Sequence, residues 1–330
     1  MCTHVRTLAI AAFGWLTLVL APQESLACSI CLAGDPSFSN SGASAQETGD
    51  FSMYFEVRGW QKQSGLLPHE EEAEHEHADA SAGSEESSSQ RLDLYLSWTP
   101  IDRATFTLDL PWAFNAITEE EHDGRTYSTL AGLGDVSLLT SVVAWRNRDV
   151  LPSTWLELRA FGKAPTGQDD AKVDGRRDPH LQPGTGSWDF GCGAAAVHRF
   201  EWGAVYGSLF QRWNQLGSLD YQYGDALLAN LALEVPMGHA LRRPALDVLI
   251  PGFELNFRYA GFDQQDGENW ADSGGSILYA TPSLRVRLPG PGEHLRAWLR
   301  AAVQIPTTSA WLHGEQHEDP LWSIGVGMGF

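Results

Sequence analysis

Apolar and polar residues trade places at every step through most of this chain, and that period of two limits its fold more than any other feature. In FSMYFEVRGW, Phe51, Met53, Phe55 and Val57 share one face, and Ser52, Tyr54, Glu56 and Arg58 share the other. In LDLYLSW the apolar set is Leu92, Leu94, Leu96 and Trp98, against Asp93, Tyr95 and Ser97. In ATFTLDLPWAF it is Phe106, Leu108, Leu110, Trp112 and Phe114, against Thr105, Thr107 and Asp109. Further strands are expected near 133–145, 154–164, 187–200, 204–213, 225–235, 252–262, 276–288, 294–305 and 321–330, twelve in all.

Alternation alone also suits a soluble sandwich. The connections separate the two. Long ones, near 63–89, 115–132, 165–186, 214–224, 263–275 and 306–320, take turns with short ones near 99–103, 146–153, 201–203, 236–251 and 289–293. A barrel that crosses an outer membrane sorts its loops by length in this way, with short turns inside and long loops outside. Segments of about 10 residues also match a tilted strand crossing the hydrocarbon layer. The fold class expected is therefore all-β: a 12-stranded antiparallel transmembrane β-barrel of outer-membrane type over residues 51–330, with both termini periplasmic.

On that reading the charges face the lumen, because they would be costly in lipid. The inward set is Glu56, Arg58, Asp93, Asp109, Asp135, Arg159, Asp189, Glu254, Arg258, Arg285, Arg287 and Arg300. Such a set can select solutes as charged rings do in other pores, or it can only fasten the barrel shut. Aromatic residues near strand ends, Trp60, Trp98, Trp112, Trp145, Trp213, Tyr259 and Trp322 among them, fit interfacial girdles. The closing segment LWSIGVGMGF puts Trp322, Ile324, Val326, Met328 and Phe330 on one face. An apolar strand ending on Phe330 suits the assembly machinery of the Gram-negative outer membrane as a partner, beside the lipid bilayer and lipopolysaccharide.

Residues 1–27 combine an apolar run, LAIAAFGWLTLVLA, with a closing SLA, which reads as a signal peptide cut between Ala27 and Cys28. A lipoprotein signal with Cys28 acylated is the other reading of SLAC. A net charge of −20 argues against nucleic acid as a partner, since phosphates call for Lys and Arg.

Three stretches, GLGDVSLL (Gly132–Leu139), KAPTG (Lys163–Gly167) and GTGSWDFGCG (Gly184–Gly193), resemble the outer-membrane barrels of the meta-pathway phenol-degradation family, also described as transporters. The resemblance implies a barrel and passage of a small solute, hydrophobic or aromatic among the candidates. Asp135 and Asp189 in these stretches are expected to pair with lumen arginines. Their glycines, Gly132, Gly134, Gly184, Gly186, Gly191 and Gly193, mark bends and close approaches.

Two stretches lie outside that pattern. CSICLAGDP places Cys28 and Cys31 in a Cys-x-x-Cys, open to a local disulfide, a redox pair or half of a soft-metal site. An oxidising compartment favours the disulfide. Residues 28–50 form an N-terminal segment that is periplasmic or plugs the lumen. The second stretch, within the acidic loop 63–89, sets His69, His75 and His77 among carboxylates and reads as disordered. It could capture zinc or copper as a cofactor, or simply be a solvated face, which is the commoner fate of such runs. HGEQHED, from His313, is a weaker second candidate.

No enzyme is expected: no Gly-x-Ser-x-Gly, Walker or dinucleotide fingerprint occurs, and His122, His180 and His198 lack a framed serine nucleophile. Two functions stay open, namely passive or gated passage of a small solute, and a non-conducting surface barrel whose loops bind metal or a partner. Zinc titrated against the purified protein with and without residues 68–90 is expected to bind both forms equally. Loss of binding on deletion would assign the loop to metal.

Overall fold

The computed structural model describes residues 48–65, 84–121, 124–271, 273–288, 296–308, 311–313 and 316–330. Cys28, Cys31, His69, His75, His77 and the signal segment lie outside them. The strands are β1 (Phe51–Gly65), β2 (Ser84–Ile101), β3 (Ala104–Glu121), β4 (Gly124–Leu133), β5 (Ser137–Arg146), β6 (Thr154–Lys163), β7 (Asp189–Arg199) and β8 (Ala204–Trp213). They continue with short β9 (Tyr221–Gln222), β10 (Ala226–Glu234), β11 (Leu249–Ala260), short β12 (Gln264–Gln265) and β13 (Glu268–Asn269), and β14 (Gly275–Leu288). The last are β15 (Arg296–Thr308), short β16 (His317–Glu318) and β17 (Leu321–Gly329).

The long strands pair antiparallel in chain order, and β17 pairs both β15 and β1, with Ser52 opposite Gly329 and Arg58 opposite Ser323. That last ladder closes the sheet. β4 and β5 are one wall strand broken at 134–136: β3 pairs β5 from Ala104 to Asp109 and β4 from Trp112 to Glu121. Counted so, the wall has twelve strands, and the molecule is the closed 12-stranded antiparallel barrel expected.

Three expectations need correction. The loop read as 63–89 is shorter, since 63–65 and 84–89 belong to β1 and β2. The loop read as 115–132 is a tall hairpin in which β3 and β4 stay paired up to Glu121 and Gly124. Both extensions are rich in Ser, Thr and Glu and carry little apolar alternation, so period-2 patterning is blind to them; cross-strand pairing holds them instead. The turn read as 236–251 contains a one-turn helix, Met237–Leu241, and a 3-10 turn, Pro244–Leu246, with β11 starting at Leu249.

The barrel is apolar outside and polar inside. Outward Leu158, Leu209 and Leu231 are 54%, 55% and 54% exposed, whereas inward Asp93 and Asn256 are 0% exposed. A water-soluble domain has the opposite distribution. Exposed Trp98, Trp145, Trp202 and Phe330 stand at the rim where the termini lie, and Trp188 and Trp213 at the far ends of β7 and β8. Cys192 is a free thiol on the outer face. Near the termini Gly49 and Asp50 hydrogen-bond with Thr99, so the β1–β2 ladder runs on to Gly49.

The glycines of β17 have a packing role. Tyr54 stacks between Tyr95 and Trp298, with centroids 6.1 and 6.5 Å away. A Cβ on Gly325 would strike the Tyr54 ring, and one on Gly327 the Trp298 ring, whereas Gly329 has room. Gly325→Val is therefore expected to destabilise the barrel by about 1–3 kcal/mol, the usual cost of overpacking. Urea unfolding in detergent measures it, and Gly329→Val should show no loss.

Candidate permeation path: charges inside the lumen

Every predicted lumen residue stands on the inward face, and all but Asp109 and Arg287 are buried. Asp109 is partly exposed, and Arg287, toward the end of β14, is open to solvent. The inward charges form two belts. The belt nearer the termini pairs Arg159 with Glu157 at 2.9 Å, Arg285 with Glu234 at 2.9 Å, and Arg300 with Glu254 at 2.5 Å. Glu56 lies 4.0 Å from Arg300, and the Arg159 guanidinium donates to the Tyr206 hydroxyl at 2.6 Å.

At mid-height, Arg58 and Arg91 both reach Asp93 at 2.5 Å, and Arg91 also reaches Asp109 at 3.1 Å. Arg258 donates to Gln304 at 2.9 Å and stands 4.8 Å from the centre of the Tyr279 ring. Pairs this dry gain little net stability over apolar packing, because desolvation offsets their attraction. Losing one partner is what costs, so the pairs hold strands in a fixed arrangement.

Asp135 and Asp189 correct an expectation, since their ion-pair partner is Lys163 and not an arginine. Lys163 Nζ lies 2.6 Å from Asp189 and 3.2 Å from Asp135. Asp135 also accepts from the Gly167 N–H at 2.9 Å, the Thr185 N–H at 2.8 Å and the Thr185 hydroxyl at 2.7 Å. The three sequence stretches GLGDVSLL, KAPTG and GTGSWDFGCG thus meet in one clamp, at the break between β4 and β5. Gly167 must be glycine there, because a Cβ would fall 2.7 Å from the Gly134 backbone and 2.8 Å from that of Gly184. The clamp anchors the chain between β6 and β7 over the lumen. Inward Asn115 of β3 donates to the carbonyls of Leu181 and Gln182 at 3.1 and 3.0 Å.

The lumen is lopsided. From β11 round to β1 Tyr54, Asn256, Arg258 and Tyr279 are all buried, around a small cavity lined by Glu56, Arg58, Glu254, Thr281, Arg300 and Gln304. From β2 to β10 Arg91, Asp109, Lys163, Phe210, Arg212 and Leu228 are partly exposed, above a buried cluster of Trp155, Ala195, Val197, Tyr206 and Ala232 nearer the β7–β8 turn.

Sequence reading missed Arg91, Lys163 and Arg212. Arg91 shares the parity of Asp93, and Arg212 is opposite in parity to exposed Leu209 and Trp213, so the signal was present. Lys163 sat in a quoted motif. Among the described residues no group of three or more His, Cys, Asp or Glu could hold a metal ion. His313 is engaged otherwise, donating to the Ser273 carbonyl at 3.1 Å and stacking on Phe262 at 4.4 Å.

Lys163→Met would leave Asp135 and Asp189 without their shared cation. A loss of about 3–5 kcal/mol is expected, the cost of breaking a buried pair by removing one partner. The urea midpoint reads it, and Lys163→Arg should recover part of the loss.

No family model and no curated protein sequence matches the chain. Among solved structures it is similar to an outer membrane channel from Pseudomonas putida F1, at 16% identity and a TM-score of 0.56, over 87% of this chain and 98% of that one. The CymD monoaromatic hydrocarbon channel gives 8% identity and a TM-score of 0.41, over 92% and 99% of the two chains. The P. putida toluene transporter TodX gives 10% and 0.39, over 90% and 94%. The first of these likenesses shows the fold, that of an outer-membrane β-barrel.

Proposed function

We propose that this chain is an outer-membrane channel of a Gram-negative bacterium that gives a small solute passage along the open side of its lumen. The observation that carries the reading is the lopsided interior. A barrel that only needed to be shut would be packed all round, yet on the β2–β10 side Arg91, Asp109, Lys163, Phe210 and Arg212 stay in reach of water above the buried cluster around Trp155 and Tyr206. The inward residues Glu56, Arg58, Asp93, Asp109, Asp135, Arg159, Asp189, Glu254, Arg258, Arg285, Arg287 and Arg300 set its selectivity, as charged rings do in pores. The buried side chains from β11 to β1, Tyr54, Arg258 and Tyr279 among them, make the passage narrow, which suits gating. The apolar exterior fits lipid, with lipopolysaccharide outside, termini in the periplasm and Phe330 as the assembly signal. The outer-membrane channel of P. putida with the same fold supports the reading, as does the resemblance to the meta-pathway family. No catalytic role is proposed.

The alternative is a non-conducting barrel whose acidic loop takes zinc or copper at His69, His75 and His77. Planar-bilayer recording separates them. The purified protein is expected to give small, reproducible single-channel steps. Deleting residues 28–50 should enlarge those steps if that segment plugs the lumen. A barrel silent in both forms would overturn the channel.

A further inference from the structure

The β2–β10 side of the lumen contains one group that the ion-pair network does not use. Arg212 points into the lumen from β8, opposite Gly191 of β7 and Ala226 of β10. Among the described residues it makes no ion pair, and its Nε is buried with no hydrogen-bond partner. The carboxylates of Asp189, already held by Lys163 at 2.6 Å, and of Asp225 attract it, and Arg91 on β2 across the barrel repels it. A guanidinium does not lose its proton in a protein. A permanent, partly dried cation that no ion pair holds is a costly thing for a barrel to keep.

Two residues toward the termini from Arg212 on the same inward face, Phe210 lies on a floor of glycine. A Cβ on Gly191 or Gly193 would come within 2.7 Å of the Phe210 ring, so both must be glycine for the ring to lie flat against β7. Inward Phe161 of β6 meets Phe210 edge-on, with centroids 6.2 Å apart and planes at 87°. Leu228 of β10 stands beside Phe210 in register. Phe210, Phe161 and Leu228 are all partly exposed to the lumen. An apolar shelf thus ends at a lone guanidinium, inside an otherwise polar passage.

We infer that Arg212, with Phe210, Phe161 and Leu228, forms a solute-binding site for small carboxylates carrying a flat apolar body. The guanidinium takes the carboxylate through paired N–H donors, and the rings take the apolar part. The inference rests on the channel reading for its purpose, but the binding itself does not depend on conduction.

Equilibrium dialysis of the purified full-length protein in detergent tests it, with labelled benzoate, benzyl alcohol and acetate as probes. Benzoate is expected to bind at least tenfold more tightly than either of the others. Arg212→Gln should remove that preference while leaving benzyl alcohol binding unchanged, and Phe210→Leu should weaken benzoate and benzyl alcohol alike. Because Arg212 has no ion pair to lose, Arg212→Gln should hold or raise the urea midpoint; a fall would assign it a structural role and overturn the site. Equal benzoate binding by wild type and Arg212→Gln would also overturn it. Bilayer recording in parallel keeps the two readings apart. Conductance without benzoate binding sinks this inference alone, whereas benzoate binding by a silent barrel sinks the channel and leaves the site.

Discussion

The hydrogen-bonded seam between β1 and β17 is the interaction on which everything else in the barrel depends. Until Ser52 meets Gly329 and Arg58 meets Ser323, two strands have open edges. In lipid there is no water to satisfy them, and each unpaired N–H or C=O costs several kcal/mol. Closure removes both edges at once. It also brings the two ends of the chain into one sheet, so no local segment can complete the fold alone. The glycines of β17 serve the same seam: Gly325 and Gly327 let Tyr54 and Trp298 lie against the closing strand from inside.

Once closed, the barrel has an interior that the strands must fill with whatever they carry inward. Here that is charge, and the belts of pairs are the consequence. Arg58, Asp93, Arg91 and Asp109 link three neighbouring strands. Lys163, Asp135 and Asp189 link the broken wall strand, β6 and β7. Each pair is worth little by itself, but no strand can slip register without leaving a dry charge unmatched. The charge network therefore acts on strand register more than on stability, and beside its own effect on the passage it leaves a solute to meet residues that the network omits. Arg212 is such a residue.

The strands were legible because lipid on one side and a polar lumen on the other force an alternation with a period of two. Where that two-sided condition ends, legibility ends as well. The upper parts of β2, β3 and β4 stand with polar residues on both faces, and there the chain read as loop although it is paired sheet. The inward residues were legible for the same reason as the strands, and Arg91 and Arg212 could have been added by parity alone. Their partners could not. Asp135 and Lys163 are 28 positions apart and meet because β5 and β6 pair with Ser137 opposite Lys163, a register that alternation does not fix.

By itself, the sequence determined the number of strands, the face each side chain takes and the segregation of long and short connections, since all three follow from local alternation against two solvents. Only the tertiary structure decided which charges pair, which side of the lumen packs and which stays open. Those outcomes depend on the stagger between strands and on distances across the barrel, which alternation by itself does not fix. Lys163 bridges two aspartates through the registers of β5, β6 and β7, and Arg212 stands outside the ion pairs beside Phe210.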